Sequence, residues 1–200
     1  MDNYKISRER AQRYFLGFDQ KKLLNAWRLQ HNESLIYLDF LGKSYRICRK
    51  TGAVYRVRDG QQADFNVVLS IFDLLCHENG QKVVTGRYAP VNSLKGAAAV
   101  GVGTDFYGKF AEKIDGDPEE FRLACLRCGA EPVQMGDIGF RFPVFGKLDV
   151  ILKFYHSDED FPASVTLLWE ENMLRFVHYE TVFYIAGALL RQLEEEMESR

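Results

Sequence analysis

Two groups of closely spaced short strands constrain what this 200-residue chain can fold into more than any other feature. Apolar and alternating runs predict strands at about 34–40, 43–49, 53–58, 137–142, 148–155 and 163–169. Within the first group, Gly42 and Thr51-Gly52 mark tight turns between neighbouring strands. The first group is therefore predicted to form an antiparallel meander.

Segments with helical character surround these strands. They fall at about 2–18, 20–30, 64–78, 104–114, 118–128 and 179–196. Because strands and helices arrive in blocks rather than in strict alternation, the pattern favours an α+β fold over a doubly wound sheet. We predict a single globular domain over residues 1–200, in which an antiparallel sheet built from the strand groups at about 34–58 and 137–169 is packed by several helices.

The distribution of charge bears on location and partners. The segment MDNYKISRERAQRYF is too charged for a secretory signal, and no apolar run approaches the ~20 residues of a membrane span, so a cytoplasmic protein is predicted. Residues 1–60 carry 13 Lys/Arg and 6 Asp/Glu, whereas residues 61–200 carry 13 and 22. The basic part could steer partners, but docking against the acidic part is the favoured interpretation.

Cys125 and Cys128 form a C-x-x-C pair. A zinc knuckle needs two further ligands, for which Cys76-His77 is the conceivable source, and a thioredoxin-type redox pair lies at a helix N-terminus. Here the pair falls on the apolar stripe of the helix predicted over 118–128, at its C-terminal end. We therefore predict two buried structural cysteines in a helix that Gly129 terminates.

The glycine-rich segment KGAAAVGVGTDF (95–106) leads into a predicted helix N-terminus, where backbone N–H groups could bind an anion or a phosphate. It departs from G-x-G-x-x-G, because Phe106 stands at the third glycine position, and it lacks G-K-[ST]. The alternative is a connector that packs small residues against a sheet.

Acidic and imidazole groups cluster in YHSDEDFPAS (155–164) and FVHYE (176–180). Their oxygen and nitrogen atoms could bind a divalent metal or act as general acids and bases. The candidate metal ligands are Asp158, Glu159, His178 and Glu180. The alternative is an acidic turn between two strands that Phe161-Pro162 anchors to the core.

The first strand group presents basic residues interleaved with Tyr45 and Tyr55, a pattern that can bind nucleic acid through phosphate contacts and stacking. These residues are Lys43, Arg46, Arg49, Lys50, Arg56 and Arg58. One solvated sheet face would produce the same alternation, and a pI of about 6.1 disfavours nucleic acid as the main partner. No nucleophile elbow, kinase loop or Ser/His/Asp arrangement is visible.

The order of motifs along the chain is more specific than any of them alone. The motifs are FLGKSYRI, TGAVYRVRDG, TGRYAPVNSLKG, FAEKIDGDPEEF, CGAEPVQMGDIGFRFPVFG and DEDFPASVTLLWEENMLRFVHYETV. This succession resembles the bacterial and archaeal family known as domain of unknown function 3786, over nearly all of residues 1–193. The stretch DEDFPAS with Glu180 downstream is the most specific part, followed by GDPEEF and GAEP.

The resemblance implies an origin among anaerobes and no assigned activity. Some relatives carry a fused iron–sulfur module like that of corrinoid proteins, whose cluster spacing the cysteines of this chain do not reproduce. If the family shares a site, the resemblance implies the 86–104 loop, the DEDFPAS turn and Glu180. The ligand-binding residues predicted on this basis are Arg87, Gly101, Gly103, Thr104, Asp158, Phe161 and Glu180.

Together these features favour a non-catalytic accessory domain that binds a small molecule or a partner protein in anaerobic metabolism. The ligand, any cofactor and the oligomeric state stay open. One alternative is a metal-dependent enzyme that uses the acidic/His cluster, and another is a nucleic-acid-binding protein that uses the basic hairpin.

Overall fold

The computed structural model describes residues 3–79, 81–94, 96 and 107–199. Its helices are α1 (Asn3–Gly17), α2 (Gln20–Trp27), α3 (Phe65–Cys76), α4 (Gly108–Gly116), α5 (Pro118–Arg127) and α6 (Tyr179–Glu198). Its strands are β1 (Gln30–His31), β2 (Leu35–Phe40), β3 (Lys43–Cys48), β4 (Val54–Arg56), β5 (Tyr88–Pro90), β6 (Glu131–Pro132), β7 (Ile138–Phe145), β8 (Leu148–Tyr155) and β9 (Ser164–Glu170). The predicted α+β class is confirmed.

The two predicted strand groups form two antiparallel sheets, with the orders β1-β2-β3-β4 and β5-β9-β8-β7-β6. The first sheet contains the predicted meander, in which Leu35 pairs with Cys48 and Phe40 with Lys43. The sheets meet where the backbone N–H of Leu41, directly after β2, donates to the carbonyl oxygen of Val144 in β7 at 3.1 Å. The short strands β1, β5 and β6 add edges that the periodicity does not predict.

Helices α3 and α6 pack against each other in antiparallel directions. At the start of α3, the ring of Phe65 lies 5.6 Å from that of Tyr184, whereas in its last turn Asp73 accepts a hydrogen bond from the backbone of His178, just before α6. Helix α1 covers the other side of α3, where the Phe15 and Phe72 rings stack at 4.7 Å. None of the described helices is both long enough and apolar enough to cross a membrane.

Helix α5 begins at the predicted residue and ends at Arg127, one residue before the predicted end. The Asp117 carboxylate accepts the backbone N–H of Glu120 at 3.2 Å, as an N-cap residue does. Gly129, at φ 73°, follows the last turn, and the backbone N–H of Ala130 donates to the carbonyl oxygen of Cys125 at 3.0 Å. This pair of features is the glycine-terminated helix end that the sequence predicts.

The C-terminal end of helix α5, where Cys125 and Cys128 lie, packs against the first sheet at Gly42. Cys125 and Cys128 are 0% and 2% exposed, which confirms their predicted burial. Gly42 lies at the β2–β3 turn with φ +72°, and a Cβ atom there would be 2.3 Å from the carbonyl oxygen of Cys128. Position 42 thus requires glycine both for its backbone conformation and for this close approach.

We expect Gly42→Ala to lower the free energy of unfolding by about 2–4 kcal/mol, because a left-handed conformation and a clash with backbone act together. Gly146→Ala is the matched control, since Gly146 has φ +61° and nothing within 4 Å of its would-be Cβ. The control should cost only about 1–2 kcal/mol. Denaturant unfolding followed by circular dichroism measures both values, and equal losses would contradict the packing argument.

Candidate functional site

The turn that carries Asp158 and Phe161 connects β8 to β9. Asp158 Oδ1 accepts the backbone N–H groups of Asp160 at 2.9 Å and Phe161 at 2.8 Å. The Phe161 side chain is 70% exposed, so the expectation that it anchors this turn in the core is wrong. The turn closes on its own backbone and needs no buried anchor. Asp158 and its neighbour Glu159 are also exposed.

Arg87 lies beside the other end of β9. Its Nε donates to Glu171 Oε1 at 2.9 Å, and the backbone N–H of Glu171 donates to the Arg87 carbonyl oxygen at 2.8 Å. The adjacent, fully buried carboxylate of Glu170 accepts the backbone N–H and hydroxyl of Thr85 and the backbone N–H of Gly86, at 2.8, 2.6 and 3.0 Å. These bonds hold the segment 85–87 against the end of the second sheet.

Two of the residues predicted to share one site lie far apart along the second sheet. Arg87 and Asp158 lie at opposite ends of the seven-residue strand β9, and a strand of this length spans roughly 20 Å. The structure therefore does not bring these two side chains together. Glu180 lies in the first turn of α6. The predicted anion-binding residues Gly101, Gly103 and Thr104 lie outside the described residues.

Three side chains of metal-binding type meet where α3 and α6 join. One ligand atom from each of Asp73, His77 and His178 lies within 4.8 Å of the other two. Asp73 Oδ1 is 2.7 Å from His178 Nδ1 and 3.9 Å from His77 Nδ1. Of the four metal ligands predicted from the sequence, all of them among the described residues, His178 is the one that belongs to this group.

Local structure explains how the three side chains meet. Asp73 lies in the last turn of α3, and His77, four residues later, is the C-cap residue whose backbone N–H still donates to the Asp73 carbonyl oxygen. This spacing places the two side chains on one side of the helix end. His178 occupies the N-cap position of α6, and its backbone N–H donates to Asp73 Oδ2 at 2.7 Å. Because α3 and α6 run antiparallel, the C-terminal end of one helix meets the N-terminal end of the other.

Burial governs the protonation of His77. Its side chain is 9% exposed, and its Nε2 has no hydrogen-bond partner among the described residues. Desolvation lowers the pKa of His77, while the Asp73 carboxylate acts in the opposite direction. His77 is therefore a neutral imidazole near neutral pH. Its ring lies edge-on to that of His178, with 4.3 Å between the ring centroids.

A groove of about 960 Å³ borders His77. Its apolar walls include Phe18, Leu23, Trp27, Val84, Phe145 and Phe176. Its charged lining consists of four basic residues and one acidic residue, namely Lys22, Arg28, Lys82, Lys147 and Glu78. The groove therefore combines an apolar surface with an excess of positive charge.

Lys82 is the half-buried cation of this groove. Its Nζ lies 4.6 Å from the centroid of the Trp27 ring and donates to the carbonyl oxygen of Leu74 at 3.2 Å. Desolvation lowers its pKa, and it makes none of the ion pairs found among the described residues. Lys22, by contrast, pairs with Glu78 at the groove edge.

The basic meander docks against the acidic end of α6. Lys43 Nζ lies 3.3 Å from a carboxylate oxygen of Glu196, and Arg56 lies 3.8 Å from Glu195. Arg56 also pairs with Asp59 at 2.6 Å. These contacts support the interpretation that the basic and acidic parts of the chain pack on each other.

Sequence reasoning missed Asp73 and Lys82 as candidate functional residues, and it considered His77 only together with Cys76 as a complement to the C-x-x-C pair. The D-x-x-x-H spacing at the end of the helix predicted over 64–78 was an available signal for Asp73 and His77. His178, which meets Asp73 and His77 in the structure, lies 105 residues from Asp73 along the chain, and no local sequence pattern connects the two. Lys82 follows α3 in an irregular segment without a motif.

The family model described as Domain of unknown function (DUF3786) matches residues 19–192. The chain therefore belongs to this family, as the order of its motifs indicated. Comparison with curated proteins and with solved structures gives no match. Asp73, His77, Lys82 and His178 all lie within the matched range.

Among the four thiols, we expect that of Cys48 to react first with an aromatic disulfide reagent near neutral pH. Cys48 is partly exposed, and a side-chain hydrogen bond from Thr51 lowers its thiol pKa. Burial, by contrast, raises the pKa of Cys76 to about 12 and also raises the pKa of Cys128. The reaction should slow as the pH falls, because the thiolate is the reactive form. Cys48→Ser should remove the fast phase and Cys76→Ala should retain it; a fast phase that survives in Cys48→Ser would contradict the assignment.

Proposed function

We propose that this chain is a binding domain that holds a small anionic molecule with an apolar body in the groove beside α2. The observation that carries the proposal is Lys82, a half-buried cation that lies over the Trp27 ring and makes no ion pair among the described residues. A cation in such surroundings favours an anionic partner, because charge-assisted hydrogen bonds gain strength where water is partly excluded.

The composition of the lining supports an amphipathic ligand. Aromatic and aliphatic side chains from α2, the 83–84 segment, the end of β7 and the start of β8 supply apolar contact area. The basic side chains Arg28 and Lys147 add to the charge of Lys82. A volume of about 960 Å³ falls at the upper end of the range common for small-molecule sites, about 300–1,000 Å³.

The Lys82 ammonium retains donor capacity for such a ligand. An ammonium has three donors, and Leu74, in the last turn of α3, accepts one of them. The bond to Leu74 also positions the ammonium, because carbonyl groups at a helix C-terminus attract cations. Lys82 is therefore held in place while part of its hydrogen-bonding capacity faces the groove.

An accessory role in anaerobic metabolism and a cytoplasmic location belong to the same proposal. The first is supported by what the family resemblance implies. The second is supported by the four cysteines, all of which are free thiols, as is usual in a reducing compartment. A small molecule is favoured over a partner protein as the ligand because the charged and aromatic groups converge in one concave surface.

We expect the anionic dye 8-anilinonaphthalene-1-sulfonate to bind at one site and Lys82→Met to weaken its binding about 10-fold, which corresponds to the loss of about 1.4 kcal/mol. Methionine keeps the apolar stem and removes the charge. Fluorescence titration of the folded protein measures the dissociation constant, with near-ultraviolet circular dichroism confirming that each variant retains its packing.

Two controls separate charge from groove shape. Lys21→Met removes an exposed lysine of α2 that does not line the groove, and it should leave the affinity for the dye unchanged. The uncharged analogue N-phenyl-1-naphthylamine should bind wild type and Lys82→Met equally. Equal weakening by both lysine variants, or equal weakening of both dyes, would refute the role of Lys82.

A further inference from the structure

We propose that Asp73, His77 and His178 bind one divalent transition-metal ion of the Zn²⁺ class. This inference is independent of the groove ligand, since it rests on three different side chains at the α3–α6 junction. Two imidazoles and one carboxylate form a donor set that suits Zn²⁺, Co²⁺ and Fe²⁺.

The spacing of the donor atoms is close to what one ion requires. Ligands bound at ~2.0–2.1 Å in a tetrahedron lie about 3.4 Å from one another. Here the three atoms lie within 4.8 Å of one another, with separations of 2.7 Å from Asp73 to His178 and 3.9 Å from Asp73 to a ring nitrogen of His77. The separations of 2.7 and 3.9 Å lie on either side of the spacing that one ion requires.

The buried imidazole of His77 lies close to both other donors. Its side chain is 9% exposed, so its ring is held in one place by the surrounding protein. The side chain lies against the imidazole of His178 and one helical turn from the Asp73 carboxylate. The ring nitrogen that faces Asp73 is Nδ1, at 3.9 Å from Oδ1, so we assign Nδ1 as the metal-binding atom of His77.

A purely structural role for the His178–Asp73 pair would not require His77. The chain contains such a pair elsewhere, because His156 Nδ1 lies 2.7 Å from Asp115 Oδ1. No third ligand joins His156 and Asp115 among the described residues. The two pairs have the same contact distance and differ in the presence of a third donor, so His156–Asp115 serves as an internal control.

The surroundings are compatible with binding and release of an ion. Asp73 Oδ2 already accepts the backbone N–H of His178, a bond that would orient the carboxylate while Oδ1 binds the ion. The His178 side chain is 66% exposed, which provides access from solvent. Three protein ligands leave at least one coordination position open, and one of the three, His77, also lines the groove.

The test uses the folded full chain, freed of metal with a chelator. We expect it to bind one equivalent of Zn²⁺ in calorimetry and one equivalent of Co²⁺ with visible absorption bands. His178→Asn removes the imidazole and keeps a residue type favoured at N-cap positions, and Asp73→Asn removes the carboxylate charge. Each should lower the affinity by about 100-fold or more, beyond the effect of losing an outer-shell partner.

His156→Asn is the matched control and should bind both ions as the wild type does. Far-ultraviolet circular dichroism confirms that each variant remains folded, and Asp73→Asn and His178→Asn supply two independent routes to the same loss. The proposal is overturned if the wild type takes up no stoichiometric ion, if both variants keep wild-type affinity, or if His156→Asn loses as much as His178→Asn. Dye binding in the groove is a separate readout, so failure of one proposal leaves the other testable.

Discussion

The antiparallel packing of α3 against α6 is the contact on which the rest of the structure depends. The two helices approach closely because Gly187 lacks a side chain, and a Cβ atom there would lie 2.8 Å from Nδ2 of Asn66. One end of the interface is aromatic, with Phe65 against Tyr184. The other end is polar, with Asp73 bound to the backbone and side chain of His178.

Helix α6 extends this contact to the rest of the molecule. Its buried Gln192 side chain donates to the carbonyl oxygen of Leu41 at 2.9 Å, while the Leu41 N–H donates to Val144 of the second sheet. Both the carbonyl oxygen and the N–H group of Leu41 are thus hydrogen-bonded to residues distant in sequence. Near its C-terminus, Glu196 pairs with Lys43 of the first sheet and with Arg127 of α5, at 3.6 Å. One helix therefore contacts the first sheet, α3 and α5.

The end of α3 connects the two proposed sites. Carbonyl groups at a helix C-terminus attract cations, and Leu74 accepts a hydrogen bond from Lys82 of the groove. The N-terminus of α6 attracts anions, and the Asp73 carboxylate lies there. Opposite ends of two helices thus place a cation and a carboxylate close together. His77 belongs to both sites, because it lines the groove and its ring lies against that of His178.

Much of the fold could be predicted from the sequence because its signals are local. Turn glycines such as Gly42, the Asp117 cap and the Gly129 stop act over two to five residues, and the apolar period of α5 placed Cys125 and Cys128 in the core. Strands β1, β5 and β6 could not be predicted in this way. They are two or three residues long, too short for a period, and depend on the neighbouring strands with which they pair.

For the candidate site, too, local features could be predicted from the sequence and long-range contacts could not. The sequence by itself determined the helix that carries Asp73 and His77 and identified His178 as a candidate ligand. Only the tertiary structure decided that these three meet, and that Asp158 and Arg87 lie at opposite ends of β9. The reason is physical: spacing along a helix or turn follows from covalent geometry, whereas contacts between residues 105 positions apart depend on which buried faces pack together.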